Sequence, residues 1–295
     1  MANLESNVLV SVGIPFYNAE EYLSLAVMSI INQSFADWEL ILIDDGSSDR
    51  SLDIAKRFEK DNKNIRVISD GQNKKLPHRL NQLVYESNGK YIARMDADDI
   101  AHPNRLKIQL EFLEKNPNYD LVATGIISID SNNNVHGYRN EKFITTNINI
   151  KNGSPIAHPT LFAKKSWYER NSYSEDYPRS EDYELWCRAS SKGDFKIAIL
   201  PNLLLYYREL GVISSSKLIN SYQDNLQVRL KYKKYSNKNK YIQKSKTQLK
   251  CFLNKIIFMM GVESYLVERR NNVFSDSNIV LYHQNIVNKI VKSIE

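Results

Sequence analysis

Three carboxylates stand together in Met95-Asp96-Ala97-Asp98-Asp99, directly after the strand-like run 90–94. Alternate residues of an extended segment project the same way, so Asp96 and Asp98 can converge on one target. The C-terminal strand ends of an open α/β sheet are also where ligands collect. A divalent cation carrying a diphosphate suits such a cluster, because Mg²⁺ takes one or two protein carboxylates and completes its shell with water and phosphate oxygens. A second acidic pair, Glu181-Asp182, opens a helical segment. Both clusters have a purely structural alternative. The first could end a strand and cap the helix near His102-Pro103, and the second could be a favourable N-terminal turn.

The elements that must position these groups follow from periodicity. Residues 9–15 read as a strand stopped by Pro15, with Asn18 capping a helix whose apolar positions are Tyr22, Leu25, Ala26 and Ile30. Residues 38–43 are nearly all apolar, as befits a parallel strand covered on both faces. The turn Asp44-Asp45-Gly46-Ser47-Ser48-Asp49 follows, with Gly46 allowing a tight bend. A helix marked by Leu52, Ala55 and Phe58, a strand at 65–68, a helix closed by Gly89 and the strand before the acidic turn complete a β-α alternation. That alternation predicts a parallel, doubly wound α/β sheet. Beyond it come a helix ending before Pro117, a strand at 121–129, a hairpin turn at 130–134, a helix at 181–189 and two late strands at 195–199 and 203–207.

With 295 residues the chain has room for one large catalytic domain and an appendage. Cys187 and Cys251 lie far apart, without metal or disulfide spacing, which favours a reducing compartment. Residues 1–7 lack the basic-then-apolar pattern of a signal peptide, and no run has the length of a membrane span, so a cytoplasmic location is expected. The net charge of +6 is uneven. Residues 217–270 hold 13 basic against 3 acidic residues, leaving 27 against 31 in the remainder. We therefore divide the chain into a catalytic unit, 1–216, and a basic helical region, 217–295.

Four separated motifs, in this order, resemble those of the family 2 glycosyltransferases, inverting enzymes of the GT-A fold. They are Val12-Gly13-Ile14-Pro15-Phe16-Tyr17-Asn18, Ile43-Asp44-Asp45-Gly46-Ser47-Ser48-Asp49, Tyr91-Ile92-Ala93-Arg94-Met95-Asp96-Ala97-Asp98-Asp99 and Ser180-Glu181-Asp182-Tyr183-Glu184-Leu185-Trp186. The resemblance covers roughly residues 8–212. It implies that Pro15, Tyr17, Asn18 and Asp45 hold the nucleoside, since a carboxylate can accept from a uracil N–H or a ribose hydroxyl. It makes Asp98 the ligand of Mn²⁺ or Mg²⁺, Asp96 a contact to ribose or metal-bound water, and Asp99 a residue that orients the loop. Asp182 becomes the base that deprotonates the acceptor, with Glu181 as the fallback.

Other assignments come from the same resemblance. A basic residue over the diphosphate is expected within 73–81, where Arg79 is the choice and Lys74 and Lys75 the rivals; the segment departs from the family's commoner glycine-rich form. His158, Glu181 and Trp186 would line the acceptor and sugar pocket, although a lone histidine is as readily a structural hydrogen-bonder. Arg208, helped by residues 214–216, would clamp the diphosphate; the histidine often found two residues later is replaced by Leu210.

The implied activity is transfer of a hexose, galactose or glucose, from a UDP-sugar to a polyprenyl-diphosphate-linked saccharide in bacterial O-antigen or capsule synthesis, with a β linkage. Leu249, Phe252, Leu253, Ile256, Ile257 and Met260 form an apolar stripe flanked by Lys246, Lys250 and Lys255. It would either lie on the anionic inner leaflet or pack on the catalytic unit. Two competitors belong to other classes. A sugar nucleotidyltransferase would need a glycine- and arginine-rich first loop, and a nucleic-acid-binding tail would need a recognised motif; neither is present.

Overall fold

The computed structural model describes residues 8–146, 148, 150, 156–209, 214–233, 236–261 and 271–294. Residues 1–7, Leu210, Tyr235 and the stretch 262–270, on which parts of the reading above fall, lie outside the described residues.

Strands β1 (Val10–Phe16), β2 (Trp38–Asp44), β3 (Ile65–Ser69) and β4 (Tyr91–Arg94) pair in parallel in the order β3-β2-β1-β4. Every residue of β1 and β2 is buried because each face of the sheet has its own core. Leu40 and Leu42 join Val10, Val12 and Ile14 against α1 (Leu23–Ile31) and α4 (Arg105–Lys115). Ile41 and Ile43, one residue out of phase, face Leu80 and Leu83 of α3 (Leu76–Glu86). The approach of α3 to β1 is close enough that a Cβ on Gly13 would lie 2.0 Å from Leu83 Cδ2. Helix α2 (Ser51–Asp61) joins the first core through Ala55.

Beyond β4, past the β-α alternation, the sheet is mixed. Strand β8 (Phe162–Lys164) runs antiparallel to β4 and to β6 (Leu121–Ile129). The hairpin strand β7 (Val135–Arg139) returns along β6. The two predicted late strands are a single one, β9 (Ile197–Arg208), parallel to β6. Between the pairs Thr124↔Leu200 and Gly125↔Leu203 two extra residues, Pro201 and Asn202, are accommodated, so the strand bends where proline offers no N–H instead of ending. A short β5 (Ile100–Ala101), just after the acidic turn, pairs with β9.

Helix α5 (Lys165–Arg170) and helix α6 (Glu181–Ser191) pack on the second core. Helix α7 (Ser215–Tyr232) lies on α6, and α8 (Asn237–Met259) on α7. The 216/217 boundary is one of composition, since α9 (Ser277–Lys292) returns to the sheet and buries Val287 and Ile290 against Ile127, Ile129 and Tyr206. Helix α8 is inside out: its buried residues are Thr247 and Asn254, whereas Leu249, Phe252, Leu253, Ile256, Met259 and Met260 are exposed. Among the described residues no helix is long and apolar enough to cross a membrane.

Candidate active site

The acidic turn is held from three sides. The Met95 N–H donates to Gly13 O, keeping the chain beside β1 past the end of β4. Arg94, buried in the last position of β4, grips both oxygens of Asp96 with its two terminal nitrogens. Arg208 N–H donates to Asp99 Oδ1 at 3.0 Å, and its guanidinium donates to Asp98 O at 2.8 Å while lying 4.0 Å from the centre of the Tyr22 ring. The result brings one oxygen each from Asp96, Asp98 and Asp99 within 4.8 Å of one another.

Burial pushes Asp98 up to about 6, with the charge of Asp96 adding to it. Burial, then the charge of Asp98, raises Asp99 well above the carboxylate range. Asp99 Oδ2 is buried with no partner among the described residues. Three mutually repelling carboxylates, one with an orphaned oxygen, are a donor set that fits a hard divalent cation.

Opposite this turn stands the first turn of α6. Glu181 and Asp182 share a cavity of about 630 Å³ with Arg94, Asp96, His158 and Tyr207. Burial, then the neighbouring Asp182 charge, pushes Glu181 up to about 8. Burial also raises Asp182, opposed by the Tyr183 N–H donated to its Oδ1 at 2.6 Å and by the charge of Arg94. Both carboxyls of the pair are therefore raised by burial, Glu181 to about 8, while the Tyr183 N–H and the Arg94 charge favour the ionised form of Asp182. His158 is buried, shares a 2.9 Å hydrogen bond with the Tyr173 hydroxyl and is held neutral by desolvation.

A Glu181 carboxyl that ionises more readily unfolded, near 4.5, than folded, near 8, weakens the fold progressively as pH rises through that window. Glu181→Gln should thus stabilise the protein by on the order of 3 kcal/mol at pH 7 and by nothing near pH 4. Urea melts at the two pH values check this, and an equal effect at both would contradict it.

The remaining assignments lie outside the lining of this cavity. Asp45 lies at the C-terminal end of β2, its N–H donating to Phe16 O at 2.8 Å. It accepts from Lys74 N at 2.7 Å, Lys75 N at 3.1 Å and Arg79 Nε at 2.9 Å, so about one of its four lone-pair directions is open. Gly46 sits at φ +75°, with the backbone of Gln72 beside it. Asn18, at φ +49°, does not cap α1; its Oδ1 accepts from Ser48 N at 2.8 Å and ties the first loop to the second. Pro15 is buried in β1 and Tyr17 is half-exposed on the same rim.

Two arginines are not where the sequence put them. Arg79 is fully buried, and its five N–H groups are engaged by Asp45, Asp70, Gln82 and Gln72 O, which leaves none for a diphosphate. Its role is to fix Asp45 and the 70–75 loop. Its rival Lys74 pairs with Asp70 at 2.7 Å, while Lys75 has its backbone N–H on Asp45. Arg208 is turned away from the main cavity, which its neighbours Tyr207 and Glu209 line, as strand alternation requires. Its terminal nitrogens donate to Asp130 O and Asn133 Oδ1, so it braces the acidic turn instead of clamping phosphates. Trp186 is buried with an edge toward His158 at 5.8 Å and lines a second cavity, not the first.

Residues 11–175, more than half of the chain, match the sequence model of Glycosyl transferase family 2. The chain belongs to that family. It is 36% identical over 194 residues to the putative glycosyltransferase EpsE of Bacillus subtilis, covering 64% of this chain and 69% of that one. The Staphylococcus aureus TarS fragment 1–349 in complex with UDP superposes with a TM-score of 0.59 at 18% identity, covering 80% of this chain and 68% of that one. The mannosyltransferase PcManGT of Pyrobaculum calidifontis, in complex with GDP-Man and Mn²⁺, gives 0.60 at 14% identity, covering 97% and 86%. The fold of this family 2 enzyme is accordingly of the GT-A kind.

Sequence reading passed over Arg94 and Arg105. Arg94 joins the two acidic groups, and buried Arg105, which desolvation lowers to about 9, donates to Arg94 O at 2.7 Å. The available signal was a cation ending an otherwise apolar strand one residue before the acidic turn.

Proposed function

We propose that the enzyme inverts: it moves one hexose, galactose or glucose, from a UDP-sugar to a hydroxyl of a polyprenyl-diphosphate-linked glycan in surface polysaccharide synthesis, forming a β linkage. The observation that carries this reading is the placement of Asp96, Arg94 and Asp182 in the lining of one cavity. Asp98, with Asp96 and Asp99 beside it, would hold a Mn²⁺ or Mg²⁺, which would supply Lewis-acid neutralisation of a departing diphosphate. No acid is then needed to protonate the leaving group, which distinguishes the site from the paired carboxylates of a glycosidase.

The chain's own residues do the rest. Asp45 offers its open lone pair to a uracil N–H, with Pro15, Tyr17 and Asn18 around the base and ribose. Arg94 holds Asp96 in place and keeps positive charge between the two acidic groups. Asp182 takes the proton from the attacking hydroxyl, while protonated Glu181 offers its O–H as a donor beside it. His158, neutral and buried, is a wall of the sugar pocket.

The inside-out α8 supports a peripheral seat on the inner leaflet of the plasma membrane. Exposed Phe252, Leu253 and Ile256 can enter the headgroup boundary while exposed Lys246 and Lys255 meet anionic lipid. Affinity for phosphatidylglycerol vesicles, read by sedimentation, should fall by about a hundredfold or more for Phe252→Glu with Ile256→Glu, since the two apolar contacts contribute on the order of 1.5–3 kcal/mol each. Unchanged sedimentation would remove the membrane seat.

The activity itself is tested with a nucleotide-sugar panel in Mn²⁺, scoring nucleotide release with and without a synthetic lipid-diphosphate sugar. Acceptor-stimulated release of UDP from a hexose donor is expected. Release only from a GDP donor, or none above background, would contradict the reading.

A further inference from the structure

We infer that a second cavity, of about 440 Å³ between α6, α7 and α8, is the acceptor subsite, and that it selects an acceptor bearing an anionic phosphate or carboxylate group. The inference rests on the transferase reading above and deepens it. This cavity meets the first at Asp182, Arg179 and Ile156, which line both. A molecule seated in it presents its hydroxyl to Asp182 from the side away from the acidic turn, the direction that a single displacement requires.

The lining indicates what that molecule carries. Arg179, Arg229 and Lys250 reach the cavity from the α6 approach, α7 and α8, and none of them makes an ion pair among the described residues. Arg229 uses only its Nε, donating to Asn225 O at 3.2 Å. Asp182 is the only carboxylate in the lining, so the charge balance there is positive. Two further donors, Trp186 Nε1 and Ser180 Oγ, are buried and unpartnered among the described residues. A buried donor left without a partner is costly, and a ligand oxygen would satisfy it. Hydroxyls and amides of Tyr222, Asn225 and Thr247 complete a surface suited to a saccharide.

The position of Lys250 links this cavity to the outer face of α8. Lys250 lines the cavity, while Leu249 and Leu253 beside it on the same helix are exposed. An acceptor anchored in lipid would bring its diphosphate to this border. A uronic acid within the glycan would bring a carboxylate instead, and both chemistries are met by the same guanidinium and ammonium groups.

The test uses the full chain with UDP and Mn²⁺ present and no vesicles. Calorimetry compares three probes: a phenoxyalkyl diphosphate glucoside, the matching uncharged phenoxyalkyl glucoside, and the matching glucuronide. At least one charged probe should bind roughly tenfold or more tighter than the neutral one, given the strength of charge-assisted hydrogen bonds. Arg229→Gln with Lys250→Gln should erase that preference while leaving UDP affinity unchanged. Lys250→Gln alone, at an exposed position, should move it in the same direction without bearing on folding. Which charged probe is preferred separates diphosphate from uronate. Equal or absent binding of charged and neutral probes, or a preference that survives the double substitution, overturns the inference. Failure of the transferase reading is distinct: UDP would not bind in the same titrations, whatever the acceptor probes do.

Discussion

Asp182→Asn is expected to bind the donor as the parent does and to transfer its sugar about 10²–10⁴-fold more slowly, the range that a positioned general base contributes. The amide preserves the shape of the α6 N-terminus and removes only the proton acceptor. The proposed donor contacts, on the loops after β1, β2 and β4, belong to other elements than α6 and are left in place. Glu181→Gln provides the internal contrast. Glu181 is protonated at neutral pH because burial pushes it up to about 8, so its amide mimics the state already present. That variant should retain transfer at pH 7. If the two variants exchanged behaviour, Glu181 would be the base. Single-turnover rates alongside UDP-sugar binding separate these outcomes, because they read chemistry and affinity independently.

Asp98→Ala is the second large effect: metal-stimulated turnover should be lost, about 10³-fold if the cation supplies several kcal/mol to the departing diphosphate. The loss should come without a loss of fold. Asp98 is half-buried beside Asp96 and Asp99, and desolvation with the Asp96 charge raises it to about 6, so metal-free protein carries a repulsion that alanine relieves. The variant should melt no lower than the parent in chelator, and added Mn²⁺ should raise the melting temperature of the parent only. A variant that still responded to Mn²⁺ would move the cation away from this turn.

The parallel half of the sheet was legible because periodicity is a local property. Strands at 9–15, 38–43 and 65–68 were each found within about a residue, since buried parallel strands are continuous apolar runs between turn residues. The mixed half was not, because the antiparallel insertion of β8 is a choice of partner and leaves no periodic trace. The late strands at 195–199 and 203–207 were read apart because the stretch between them holds Pro201, which offers no N–H to a ladder, yet β9 pairs with β6 on both sides of it.

Within the site, the structure brings the acidic residues of the turn together and engages the basic ones elsewhere. A carboxylate cluster at a strand end has few structural uses, whereas an arginine can serve a ligand or another side chain equally well. Arg79 and Arg208 both went to other protein groups, the first to Asp45 and Asp70, the second to the backbone of the acidic turn. Arg94 was invisible because it occupies a strand position. What makes it matter, the approach of α6 to the acidic turn, is a tertiary fact.

The central claim is a single displacement: one carboxylate on α6 primes the acceptor while the nucleotide leaves on the other side of the sugar, toward the acidic turn that would hold a cation. The most direct measurement is the anomeric configuration of the product made from an α-linked UDP-sugar, read by nuclear magnetic resonance. A β-linked product is predicted. An α-linked product would mean that the sugar left with its configuration retained, which one base and one displacement cannot give.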